Sequence, residues 1–99
     1  MAELLTDDAI NKALTRLDGW QRDGAELVRR VDLPSFPEAI AVVNRVAEIA
    51  ESEGHHPDID IRYSSLVFRL STHSDGGLTQ LDVNLAQEID NVVDIARGE

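Results

Sequence analysis

The sequence contains no cysteine, which excludes disulfide bonds, thiolate metal ligands and a cysteine nucleophile. It has one lysine, Lys12, and its 19 acidic residues against 9 basic ones give a formal net charge of −10 at pH 7. Because the chain lacks a basic cluster, direct binding to nucleic acid is not expected. The longest apolar run is residues 39–43, which is too short for a membrane span or a secretory signal, so no membrane partner is expected.

The remaining composition is that of a small folded protein. Hydrophobic residues make up 42% of the chain and charged residues 28%, which argues against disorder. A chain of 99 residues can form one hydrophobic core, so we predict a single domain over residues 1–99. The absence of a targeting segment and of cysteine predicts a cytoplasmic location.

Capping residues mark the first two helices. Thr6 is the predicted N-cap of the first helix, whose apolar residues follow helical spacing until Gly19 supplies the stop. Ser35 and Glu38 form a capping-box pattern at the start of the second helix, and Gly54 ends it. A segment with strand-like patterning follows each of these helices.

The first of these segments, residues 20–33, indicates a β-hairpin. A two-residue turn at Asp23-Gly24 is typical of hairpins, and it would set Trp20 opposite Leu27. The indole and leucine side chains would then share one face of the hairpin.

The second hairpin spans residues 59–70, where the alternation of apolar residues changes parity half-way. A two-residue turn at Ser64-Ser65 would place Tyr63 opposite Leu66 and direct all the apolar side chains to one side. The order helix, hairpin, helix, hairpin, helix predicts an α+β fold, with helices packed on one face of an antiparallel sheet.

The third helix begins at Thr79, which has Asp82 three residues later in a second capping-box pattern. Its apolar residues between positions 81 and 96 cover more than one stripe, since Val83 and Val93 lie off the main line. A terminal helix that is apolar over so much of its circumference indicates a second buried surface. In a chain this short we predict that this surface is a subunit interface.

The candidate chemistry is concentrated in three histidines within 19 residues, namely His55, His56 and His73. Glu51 precedes the first of them by four positions. The predicted elements place His55 and His56 at the end of the second helix and His73 after the last strand, so their side chains can converge on one cleft. Histidine titrates near neutral pH, which suits it to moving protons to and from a substrate.

Spacing alone leaves three interpretations of these residues open. Surface histidines are the simplest, because a cation after a helix C-terminus is favoured by the helix dipole. A metal site could combine Glu51, His55 and His73, although adjacent side chains such as His55 and His56 rarely aim at one ion and no HExxH pair is present. The third interpretation is metal-free general acid–base catalysis on a small ligand.

Seven positions resemble the signature of the pterin-4a-carbinolamine dehydratases. They are, in chain order, Glu51, His55, His56, Pro57, Tyr63, His73 and Asp82. The resemblance extends over nearly the whole chain, from Gly19-Trp20 to Ile89. A signature with three histidines among seven spaced positions is much more specific than any single dipeptide.

The resemblance implies three helices against one four-stranded antiparallel sheet, in a homodimer or homotetramer joined through the C-terminal helix or a sheet edge. It implies dehydration of 4a-hydroxytetrahydropterin to quinonoid dihydropterin, which recycles tetrahydropterin without a metal or any other cofactor. The pterin is the substrate in this reaction. A non-catalytic oligomerisation module on the same scaffold is the alternative, and for it we predict that charges at Ile89 or Val92 abolish function.

The resemblance also assigns roles by position. His55 and His73 would be the acid–base pair, with His56 lining the site as the third catalytic histidine. Glu51 would bind the pterin or orient a histidine, backbone groups around residues 71–73 would hold its amide-like edge, and Trp20 would wall the pocket. The substrate-binding residues implied in this way are Trp20, Glu51, Pro57, Ser71, Thr72 and Asp82.

Overall fold

The computed structural model describes residues 2–98 and contains three α-helices and four β-strands. In chain order the elements are α1 (Asp7–Leu14), β1 (Trp20–Asp23), β2 (Glu26–Asp32), α2 (Phe36–Glu53), β3 (Asp58–Arg62), β4 (Ser65–Leu70) and α3 (Gln80–Arg97). A short 3₁₀ turn, His73–Asp75, lies between β4 and α3. The predicted α+β order is therefore confirmed.

The four strands form one antiparallel sheet in the order β1-β2-β4-β3. Alternate side chains point to the helices, and the buried ones form the core with α2 and α3. Those buried on this face of β2 and β4 are Leu27, Val31, Leu66, Phe68 and Leu70. Arg30, Asp58 and Asp60 alternate with them on the opposite face and are exposed. The helices thus cover one face of the sheet, as predicted.

The register of the first hairpin differs from the prediction by two residues. Asp23 pairs with Glu26, so the turn is Gly24-Ala25, and Trp20 lies opposite Arg29 instead of Leu27. Gly24 takes a positive φ of 60°, which a side chain disfavours, and it therefore belongs inside the turn. A shift of two residues keeps every side chain on its face, so Trp20 and Leu27 still share the core side.

The second hairpin differs in the same way. Arg62 pairs with Ser65, which moves the turn to Tyr63-Ser64 and sets Ile61 opposite Leu66. Tyr63 was predicted to face Leu66 from within the strand, but it occupies the turn with φ 53° and is 76% exposed. The prediction was wrong for Tyr63 because hydrophobic alternation specifies the face of a strand and not the residue at which the chain reverses.

Both long helices begin where the capping residues predicted, and α2 ends at the predicted Gly54. The Ser35 hydroxyl accepts the Glu38 N–H, and Gly54 ends α2 in the left-handed conformation at φ 66°. Thr79 and Asp82 form a reciprocal capping box at the start of α3. The first helix is shorter than predicted, since it ends at Leu14 and a turn continues the chain to Gly19.

Most of the apolar surface of α3 is already buried within one chain. Ile89 is fully buried and Val92 is 9% exposed, because both pack in the core. A charged side chain at either position would unfold the domain. The predicted loss of function on placing charges at Ile89 or Val92 therefore cannot serve as a test of assembly. The exposed large apolar side chains of this helix are Leu81 and Ile95. Across residues 2–98, no helix is both long and apolar enough to cross a membrane.

Candidate functional site

The end of α2 positions His55. Gly54 turns the chain in the left-handed conformation, and the His55 N–H then donates to the Ala50 carbonyl at 3.1 Å. This backbone bond directs the His55 side chain toward the start of α3. There its Nε2 lies 2.6 Å from Oδ1 of Asp82, and the histidine is only 9% exposed. The two residues form a buried histidine–carboxylate pair.

Asp82 is fully buried, and hydrogen bonds reach both of its carboxylate oxygens. Besides the bond from His55, Oδ2 accepts the Thr72 hydroxyl at 2.7 Å and the Thr79 N–H at 3.0 Å. Asp82 also lies in the first turn of α3, where the helix dipole favours negative charge. These donors and the dipole together stabilise negative charge on the Asp82 carboxylate.

His56 and Glu51 form a second, exposed pair. Nε2 of His56 lies 2.8 Å from Oε2 of Glu51, and their side chains are 61% and 81% exposed. Because water screens such a pair, it adds little to folding stability. Glu51 therefore contacts His56 and not the buried His55. Pro57, which follows, is partly buried ahead of β3.

The segment after β4 carries the third histidine and is joined to Asp82 through Thr72. Ser71 and Thr72 are buried, whereas His73 is exposed at the start of the 3₁₀ turn. The Thr72 N–H donates to Gly77, and its carbonyl accepts from Asp75 and Gly76. The backbone groups of Thr72 are therefore already hydrogen-bonded within the segment. A ligand that binds backbone groups here would contact those of Ser71 and His73. The Thr72–Asp82 bond anchors this segment beside His55.

Trp20 is the predicted site residue that the structure does not bring to the histidines. It begins β1, at the sheet edge opposite β3, and three strand spacings separate these edges by about 14 Å. Its indole is buried, and Nε1 donates to Asp90 of α3 at 2.7 Å. Arg29 donates to the same carboxylate oxygen. Burial raises the pKa of Asp90, and the bonds from Trp20 and Arg29 oppose that rise.

Of the side-chain contacts that surround Asp82, only its capping bond with Thr79 was predicted. Thr79 was identified only as a helix cap, yet its hydroxyl lies 2.8 Å from that of Thr72 in a buried pair. These contacts join residues from two loops and a helix, and no local pattern predicts them. Within residues 2–98, no three histidine, aspartate or glutamate side chains meet in an arrangement that could hold a metal ion. The groups that do meet include a histidine paired with a carboxylate, and histidine is the side chain that most often transfers protons in catalysis.

Comparison with protein families and curated proteins gives one consistent result. The family model described as "Pterin 4 alpha carbinolamine dehydratase" matches residues 3–92. A relative from Nocardia farcinica is 57% identical over 90 residues, which cover 91% of this chain and 95% of the relative. One from Roseiflexus castenholzii is 52% identical over 93 residues, covering 94% and 100%. Both are named "Putative pterin-4-alpha-carbinolamine dehydratase".

Two solved structures resemble the fold. A crystal structure described as a transcriptional coactivator/pterin dehydratase from Brucella melitensis has a TM-score of 0.89 and 31% identity, covering 92% of this chain and 99% of that one. A pterin dehydratase-like protein identified as a RuBisCO assembly factor has a TM-score of 0.62 and 20% identity, covering 75% and 86%. The second similarity extends to the fold alone.

Proposed function

Because this chain belongs to the pterin 4 alpha carbinolamine dehydratase family, we propose that it dehydrates 4a-hydroxytetrahydropterin to quinonoid dihydropterin and water. The observation that carries the proposal is the buried pair of His55 and Asp82, with 2.6 Å between Nε2 and Oδ1. Both residues occupy positions of the family's signature. A histidine held in this way beside two exposed histidines is suited to proton transfer on a small polar substrate.

The reaction needs one base and one acid. The base takes the proton from N5 of the pterin, and the N5–C4a bond becomes a double bond. The C4a–O bond breaks with its electron pair on oxygen, which takes a proton from the acid and leaves as water. No net oxidation occurs, and we propose no metal or other cofactor. Each positioned acid or base typically contributes about 10²–10⁴-fold in rate.

The three histidines have different surroundings, which supports different roles. His55 and His73 form the proposed acid–base pair, because the bond from Thr72 to Asp82 holds their two segments together. His56, exposed and paired with Glu51, lines the open side and contacts the substrate. Ser71 supplies backbone groups to the pterin beside His73. We do not extend this role to Trp20, since its indole N–H is already bonded to Asp90.

The test compares dehydration of freshly generated 4a-hydroxytetrahydropterin by the wild type and by His55→Ala and His73→Ala. We expect both variants to lose at least about 100-fold in kcat while circular dichroism shows the native fold. Ser52→Ala, an exposed change on the same helix as Glu51, is the matched control and keeps wild-type turnover. An inactive wild type would contradict the proposal.

The alternative function is a non-catalytic assembly module on the same scaffold. The fold it shares with a protein identified as an assembly factor makes this a reasonable competitor. A module of this kind would show no turnover, and its histidine variants would behave like the wild type. We propose that the dehydratase itself forms a homodimer or homotetramer. The exposed Ile95 of α3 and the free edges of β1 and β3 are the surfaces available for that contact.

A further inference from the structure

The hydroxyl groups around Asp82 form a chain whose hydrogen-bond direction is determined. The Thr72 hydroxyl lies 2.7 Å from Asp82 Oδ2 and 2.8 Å from Thr79 Oγ1. A hydroxyl has one proton, and Thr72 donates it to Asp82 Oδ2, because an ionised carboxylate has no proton of its own to donate. Thr79 therefore donates its own proton to Thr72, while Thr79 Oγ1 accepts the Leu81 N–H at 3.2 Å. Every proton in this chain points toward Asp82.

This direction determines which nitrogen of His55 carries the proton. Two donors on Oδ2, the Thr72 hydroxyl and the Thr79 N–H, and the N-terminal dipole of α3 all favour negative charge on Asp82, and an ionised carboxylate has no proton to donate through Oδ1. The 2.6 Å contact between His55 Nε2 and Asp82 Oδ1 is then a bond that Nε2 donates. Neutral His55 is thereby held as the Nε2–H tautomer, with its lone pair on Nδ1.

The remaining ring nitrogen of His55 is open to a ligand. No residue between 2 and 98 forms a hydrogen bond with Nδ1, although His55 is only 9% exposed. Over the same residues, every buried side-chain nitrogen and oxygen has a partner. Nδ1 is therefore not a buried atom, and it is the ring nitrogen that His55 leaves free to accept a hydrogen bond.

We propose that Thr72, whose hydroxyl accepts a hydrogen bond from Thr79, is a positioning residue. Its hydrogen bond to Asp82 holds this carboxylate ionised, and the ionised carboxylate keeps His55 in the Nε2–H tautomer. This inference rests on the proposed dehydratase function and assigns the base of the acid–base pair to His55, acting through Nδ1. Thr72 does not touch the substrate through its hydroxyl. Its effect on the reaction passes through Asp82.

The test combines kinetics with ¹⁵N nuclear magnetic resonance of the histidine side chains at alkaline pH, where neutral imidazole prevails. Thr72→Val keeps the shape and removes the hydroxyl, whereas Thr72→Ser keeps the hydroxyl. Thr15→Val is the matched control, because the Thr15 hydroxyl donates to a backbone carbonyl at the exposed end of α1. We expect the wild type, Thr72→Ser and Thr15→Val to show His55 protonated on Nε2.

Thr72→Val is expected to lose this tautomer preference and about 10-fold in kcat, with KM changed less than about 2-fold. A loss of that size is typical when one hydrogen bond to a carboxylate is removed. Thr72→Ser restores the rate, which a purely structural role of the methyl group would not produce. If Thr72→Val fails to fold, the wild-type and Thr72→Ser spectra still decide the tautomer.

Two results would overturn the inference. One is a wild-type His55 protonated on Nδ1, and the other is a folded Thr72→Val variant with wild-type tautomer or wild-type kcat. The spectra need no pterin, so they separate this inference from the proposed function. A wild type that is inactive but shows the Nε2–H form, lost in Thr72→Val, would contradict the dehydratase and support the positioning role of Thr72.

Discussion

Replacing Asp82 by asparagine tests how the buried carboxylate organises the site. The amide has the same size, but one of its two atoms donates instead of accepting. If its NH₂ group faced Thr72 and the Thr79 N–H, that N–H would be buried without an acceptor, at a cost of about 1–3 kcal/mol. We therefore expect the amide oxygen to face the Thr72 hydroxyl and the Thr79 N–H. The NH₂ group then points toward His55 Nε2.

The consequences follow from hydrogen-bond strengths. Bonds to a charged acceptor contribute about 1.5–3 kcal/mol each and neutral ones about 0.5–1.5, so the three bonds to Asp82 lose roughly 3–4.5 kcal/mol in total. For a domain of this size that lowers Tm by roughly 10–25 °C. His55 must move its proton to Nδ1 to accept from the new NH₂ group, and Nδ1 can then no longer act as a base. We expect kcat to fall by about 10²–10⁴-fold.

The assay measures kcat below the lowered Tm, together with thermal unfolding. Asp94→Asn is the matched control, because it removes an exposed carboxylate from the same helix. It should shift the free energy of unfolding by no more than about 0.5 kcal/mol and leave kcat unchanged. An Asp82→Asn variant with wild-type Tm, or with kcat within about 2-fold of the wild type, would refute the reasoning.

Two further predictions concern residues outside the histidine site. Trp20→Phe removes the indole bond to Asp90 and should lower the free energy of unfolding by about 1–3 kcal/mol in urea titrations, with KM for the pterin changed less than about 2-fold. A several-fold rise in KM would instead bring Trp20 into the pterin site. Ile95→Asp places a charge on an apolar side chain that is 79% exposed, and it should reduce the mass found by light scattering toward the 10.9 kDa of one chain. Asn11→Asp adds the same charge on the exposed side of α1 and should leave the wild-type assembly intact; equal masses for both variants would exclude this part of α3 as the interface.

Much of the fold could be predicted from sequence because its signals are local. The caps at Ser35 and Thr79 act within one helical turn, and the structure has both helices beginning there. The alternation of apolar residues placed the strands' core faces correctly. It could not place the turns, since a register shifted by two residues leaves every strand side chain on the same face, and both hairpins differ by that amount.

In the candidate site, too, some features could be predicted from the sequence and others could not. The sequence by itself determined the residue types, because three histidines, Glu51 and Asp82 at their spacing are a pattern that can be recognised without coordinates. Only the tertiary structure decided their partners. His55 and Asp82 are 27 residues apart, and the indole of Trp20 finds its acceptor 70 residues away. Such pairs depend on how α3 packs across the sheet, and the free energy of that packing comes from the whole core and not from any segment that carries a local signal.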